Sequence, residues 1–179
     1  MARSERPLRF LFVLLLAFPA LAGAGVLHVP DDHPAIGEAA AASGAGDTLL
    51  VAAGEYRETL YLTGSLVLLG GWDPAFREKD PRRYETVIDG EGADRSVITF
   101  YGDGGEEYVL DGFTIRNGWV IEGNGGAVFV NGGVHAVIRG NVIRNNYARY
   151  HGGGVCFFRG SSGRVEENLF EGNSVVFHG

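Results

Sequence analysis

The sequence predicts an all-β repeat chain wound as a parallel β-helix, and three observations carry that expectation. A Gly- and Asn-punctuated segment recurs about every 27–28 residues, as residues 110–117 (LDGFTIRN), 138–145 (IRGNVIRN) and 165–173 (VEENLFEGN). Within each period three short runs rich in β-branched residues lie between turn residues, and none is long enough for an ordinary helix. The apolar positions then align from one period to the next: Leu110, Ile138 and Val165 form one column, and Ile115, Ile143 and Phe170 another. Short strands that repeat in this way bury their apolar faces by stacking on the same strands of the next coil.

Taken in order, the chain opens on an address. Arg3, Arg6 and Arg9 precede an apolar stretch over residues 10–20, and Ala22-Gly23-Ala24 follows as a small-x-small site. This is the layout of a secretory signal peptide over residues 1–24, and the stretch is shorter than the ~20 residues a spanning helix needs. The expected product is an exported chain with no stable membrane span, placed outside the cell or at its surface. Removing three Arg and one Glu leaves it two charges more negative than the −7 of the full chain.

Residues 25–179 read as the β-helix domain, with residues 26–47 as its N-terminal cap. Residues 26–29 read as a strand. Pro34 opens a short helix reaching Ala42, with Asp32 or His33 as its cap, laid over the first coil. Residues 48–52, 59–62 and 66–69 read as strands of that coil. Residues 70–86 are charged, contain two Pro, and read as a long loop. Strands resume at 86–88 and 96–100, and regular coils run from about residue 110. In the second regular period the strands fall at 127–130, 135–138 and 141–143. Asn141 with Asn168, and Asn146 with Asn173, stack at turns as a structural ladder, since Asn tolerates left-handed backbone and its amide can pair with the Asn above.

Several function classes are excluded or weakened. A net charge of −7 gives no footprint for nucleic acid. With one cysteine, Cys156, there is neither an internal disulfide nor a Cys-rich zinc site. No Gly-x-Ser-x-Gly elbow or phosphate loop is present, and His28, His33 and His135 have no metal-ligand spacing.

Residues 46–58 (GDTLLVAAGEYRE), 87–90 (VIDG) and 110–115 (LDGFTI) resemble the early coils of secreted right-handed β-helix proteins of the pectin-lyase-like superfamily. Residues 125–128 (GGAV) and 170–173 (FEGN) are similar to the paired short motifs of polymorphic outer-membrane proteins. The resemblance implies a right-handed helix. It leaves activity open, because the superfamily holds lyases, hydrolases, esterases and adhesins.

A polysaccharide lyase of this kind would bind calcium through converging acids, and a glycosidase needs two carboxylates about 5–10 Å apart. Asp89, Asp94 and Asp111, with Arg116, are the catalytic candidates. Asp89 and Asp94 are more simply turn residues beside Gly90 and Gly92. The columns Asp111, Arg139, Glu166 and Arg116, Arg144, Glu171 mix signs, as a solvated charge ladder does. His151 recurs as His178 and so belongs to the repeat. For binding, Trp72, Arg77, Arg82 and Tyr84 place aromatics beside cations in the loop, a pairing suited to acidic glycan. The simpler role for Trp72 is to anchor the loop. Trp119, Tyr147 and Tyr150 mark a second face.

The pattern breaks off where a further Gly-Gly strand unit is due. The expectation is a longer β-helix or a truncated frame, with an open end able to self-associate. The leading function is a non-catalytic surface module binding glycans or proteins, with no cofactor. A fragment of a polysaccharide lyase or glycosidase, for which calcium would be the cofactor, is the alternative, and an inactive remnant is the third.

Overall fold

The computed structural model describes residues 24–176. The leader expected over 1–24 falls outside them except for Ala24, and so does His178.

The strands follow in chain order. β1 (Val26–Val29) precedes a short helix, α1 (Ile36–Ala42). The first coil holds β2 (Asp47–Ala52), β3 (Gly54–Arg57) and β4 (Leu60–Thr63), and the second holds β5 (Leu66–Trp72), β6 (Thr86–Asp89) and β7 (Ile98–Tyr101). The third holds β8 (Glu107–Asp111), β9 (Thr114–Arg116), β10 (Trp119–Val120) and β11 (Val128–Asn131). The fourth holds β12 (His135–Arg139), β13 (Val142–Arg144), β14 (Tyr147–Ala148) and β15 (Val155–Phe158). β16 (Ser162–Glu166), β17 (Leu169–Glu171) and β18 (Ser174–Val175) follow.

Corresponding strands of successive coils stack in the same sheet, and their pairings are parallel. Sheet A runs β1-β2-β5-β8-β12-β16, sheet B β3-β6-β9-β13-β17, sheet C β4-β7-β11-β15 and sheet D β10-β14-β18. The chain is thus all-β with four parallel sheets, compatible with a β-helix-like solenoid. The three runs per period expected from sequence are joined in the later coils by a two-residue fourth strand. Two-residue strands such as Trp119–Val120 are too short to leave a pattern of their own.

Register confirms the columns. Leu68, Leu110, Ile138 and Val165 are successive partners, as are Ile88, Ile115, Ile143 and Phe170. The side chains from Leu68 to Ile138 and from Ile88 to Ile143 are fully buried, while Val165 and Phe170, in the last strands, are exposed. From β8 onward coil length changes at a corner, whereas between β2 and β5 the register shifts by one residue within the strands, between Leu50 and Ala52. Asp111 pairs with Arg139, 28 residues on, and Arg139 with Glu166, 27 on. The difference lies between β10 and β11, residues 121–127, against β14 and β15, residues 149–154.

Several expected boundaries and roles move. β5 extends through Gly70 and Gly71 to Trp72, so the loop covers residues 73–85. Gly70 and Gly71 look like loop residues but are needed for close packing: a Cβ on Gly70 would stand 2.8 Å from the Gly112 carbonyl. α1 begins at Ile36, and neither Asp32 nor His33 caps it; the N-cap is Ala35, in extended backbone with no side-chain cap. Asp32 instead accepts from the His28 N–H. The cap comes from far along the chain, where the Glu58 carboxylate accepts the Ile36 and Gly37 N–H groups, both at 2.9 Å.

The Asn stacks are present, but their backbone differs from expectation. The left-handed residues stand one place earlier, at Gly112, Gly140 and Glu167 and at Asn117, Asn145 and Gly172. The Asn that follows each turn is thereby aimed inward. Asn141 Oδ1 accepts the Phe113 N–H at 2.9 Å, and its Nδ2 donates to the Leu110 carbonyl and to Asn168 Oδ1. Asn146 does the same with the Gly118 N–H, the Ile115 carbonyl and Asn173 Oδ1.

Candidate functional site

The outward row of sheet B gathers charge because its strand ends share one register. Arg57 pairs with Asp89, Asp89 with Arg116, Arg116 with Arg144, and Arg144 with Glu171. Side chains alternate along a strand, so the burial of Ile88 and Ile115 turns the next residue outward.

The structure joins two of the candidate residues, Asp89 and Arg116. Arg116 Nε donates to Asp89 Oδ2 at 2.7 Å, and its Nη2 lies 3.0 Å from Glu55 Oε2. The Asn117 amide donates to both Asp89 oxygens, at 3.0 and 2.9 Å, and the Glu91 N–H donates to Oδ1. Asn117 reaches this position from a left-handed turn, φ 58°. Burial pushes the Asp89 carboxyl up, but the Glu91 N–H, the Asn117 amide and the Arg116 guanidinium outweigh it and hold the group below the ordinary carboxylate range.

Beside this network lies a cleft of about 580 Å³ lined by Arg57, Asp89, Glu91, Asn117, Trp119 and Asn145, among others. Trp119, at 48% exposure, forms its aromatic wall. Its ring stacks on Tyr147 at 4.3 Å and 22°, because β10 and β14 pair Trp119 directly with Tyr147. An exposed indole fixed by a second ring keeps its face available without a large ordering cost. Arg57, largely exposed, is held by Glu55 at 2.8 Å and Glu91 at 3.8 Å.

The other candidates lie elsewhere. Asp111 ends β8 on sheet A, where Lys79 Nζ (2.7 Å) and Arg139 Nε (2.8 Å) hold it. Burial again raises its carboxyl, and the hydrogen bonds from Lys79 and Arg139 bring it below the ordinary range. Asp94 accepts the Ile121 N–H at 2.7 Å, a structural use. Among the described residues, no group of three or more His, Cys, Asp or Glu could hold a metal ion.

The four loop residues do not converge. The Trp72 side chain ends β5 with its Nε1 buried, and Trp72 bridges to Lys79 across the loop base. Arg77, highly exposed, lies 3.6 Å from Asp73, and the Tyr84 hydroxyl donates to Glu78 Oε2 at 3.1 Å. Arg82 lines a separate groove of about 810 Å³ with Asp80, Pro81, Glu85, Val142 and Leu169. Asp73 closes the loop on itself by accepting the Arg77 and Glu78 N–H groups.

Sequence reading missed Glu55, Arg57 and Asn117. The signal for Asn117 was present, since Asn145 repeats it 28 residues on. Arg57 and Glu55 precede the regular period, so only the observed register brings them to Asp89 and Arg116.

The chain matches no protein-family model, no curated protein and no solved structure.

Proposed function

We propose that this chain is an exported right-handed parallel β-helix of the pectin-lyase-like kind, and that it binds glycan without transforming it. The Trp119–Tyr147 platform beside a polar cleft carries the reading. A sugar ring presents an apolar C–H face that packs on an indole, while its hydroxyls seek planar polar groups such as Asn117, Asn145 and Arg57. The cleft has the size of a small-ligand site.

Charge pairing favours binding over catalysis. A general acid at neutral pH needs a raised carboxyl pKa. Asp89 and Asp111 are both lowered, each clamped by cations.

The test is titration of the purified chain with neutral and acidic oligosaccharides, read by Trp fluorescence and calorimetry. Saturable binding that Trp119→Ala weakens at least tenfold supports the proposal, provided the variant unfolds at the same denaturant concentration. Product release from the same sugars would overturn the non-catalytic reading. No binding to any of them would overturn the glycan reading.

A further inference from the structure

Gly25, one residue before β1, donates its backbone N–H to Asp47 Oδ1 at 2.6 Å. The other carboxylate oxygen accepts the Gly44 N–H at 2.7 Å. In return the Gly25 carbonyl accepts the Thr48 N–H at 2.9 Å, so residue 25 is fixed on both sides. The carboxylate lies close enough that a Cβ at this position would stand 3.3 Å from Oδ1, a tight contact that glycine avoids. The hydrogen bonds from Gly25 and Gly44 hold the Asp47 carboxyl below its ordinary value, so it is an anion at neutral pH. In the sequence, residue 25 directly follows the small-x-small run Ala22-Gly23-Ala24 that ends the apolar leader.

We propose that Asp47 is the receptor for the mature amino terminus: the amine freed at Gly25 by removal of the leader docks on this carboxylate as an ion pair. The inference rests on the export reading above. In the cleavage, which an export peptidase catalyses, water adds to the Ala24 carbonyl and the Ala24–Gly25 C–N bond breaks. Ala24 departs as the carboxylate of the leader with the oxygen of the water. The Gly25 nitrogen, which carries one proton as an amide, takes up the two protons of the water and is an ammonium group at neutral pH. That nitrogen already stands at hydrogen-bond distance from Asp47. Processing therefore replaces one amide donor by an ammonium group, turning a neutral donor's bond to a carboxylate into a full ion pair. A cut one residue to either side would move the charge off the carboxylate, so the place of cleavage and the seating of β1 are linked.

Two measurements separate the premises. The first is the mass of the chain exported behind its own leader. A start at Gly25 is expected, and any other start overturns the proposal through the export reading. The second uses a chain released to begin at Gly25 by a site-specific protease, with its α-amino group titrated by NMR. The expected pKa lies at least half a unit above the ordinary ~7.7–8.0 of an α-amino group. Asp47→Asn is expected to return it to that range. An ordinary value in the unsubstituted chain overturns the receptor role even where the cut is right. Should Asp47→Asn fail to fold, acetylating the α-amine of the unsubstituted chain serves instead: the Asp47 carboxyl should then titrate higher, and an unmoved titration overturns the proposal. The sign for stability follows from a raised amine pKa. The contribution is fully present below the unfolded value and is lost as pH rises through the folded one.

Discussion

Asn141 stitches three coils with one amide, and its cost of removal follows from what it satisfies. Alanine there would strand the Phe113 N–H and the Leu110 carbonyl in a site only 1% exposed. Each stranded buried group costs about 1–3 kcal/mol, so Asn141→Ala should destabilise by about 2–4 kcal/mol in urea unfolding. Asn168→Ala, in a more open coil, should cost less than half of that. The stacking of these residues was legible from their spacing. Their backbone was not, because the left-handed strain sits on the preceding Gly140 or Glu167. A second residue-scale outcome concerns tyrosine. Burial, with Glu58 near Tyr56 and Glu106 near Tyr108, pushes both phenols up to about 12. Their neutral forms are favoured in the folded chain, so stability should hold below the unfolded value of ~10 and fall between there and 12. Phenolate absorbance against pH, compared with an unfolding probe, checks this: phenolate absorbance from these two groups well below pH 12 while the chain is still folded would contradict it.

At the scale of the element, α1 depends on a residue it does not contain. Seven residues are too few for a stable isolated helix. Ile36 and Ala39 are fully buried, and Glu58 satisfies two N-terminal donors. Glu58→Ala should therefore destabilise the chain by about 1 kcal/mol, with Glu58→Gln losing less because it keeps an acceptor. Thermal unfolding of the two variants measures this, and equal stability of all three proteins would contradict the cap. Sequence reading placed the cap at Asp32 or His33 because local capping is the usual rule. A cap from 21 residues away leaves no local pattern. The 73–85 loop reads differently again. Its charge and prolines announced a loop, while Gly70 and Gly71 misplaced its start, since nothing in the sequence alone reports the backbone of Gly112 against Gly70.

For the whole molecule, the regular coils were legible because one column position recurs at nearly constant spacing. The irregular coils before residue 110 were legible as strands, and their register to later coils was not. The charge row at Arg57, Asp89 and Arg116 depends on that register and so stayed hidden. At the far end, β16, β17 and β18 are edge strands of sheets A, B and D, and Val165, Leu169, Phe170 and Val175 are exposed on them. Unpaired edges carrying apolar side chains template further pairing. Residues 25–179 without the leader should associate as their concentration rises, and Leu169→Lys with Phe170→Lys should keep them monomeric. Sedimentation velocity decides, and a monomer at all concentrations would contradict the expectation.

The corner that absorbs one residue between the 121–127 and 149–154 segments has a consequence for how such a chain can change over generations. A whole coil is a heritable module. Copying residues 117–144 in tandem would return each strand to its own column, setting a second Ile143 above the first. Losing a single residue inside β13 would instead turn Ile143 to water and Arg144 to the core. Genes of this design should therefore gain and lose length in coil-sized steps, with stray single-codon changes surviving at the corners and at bulges such as the one between β2 and β5.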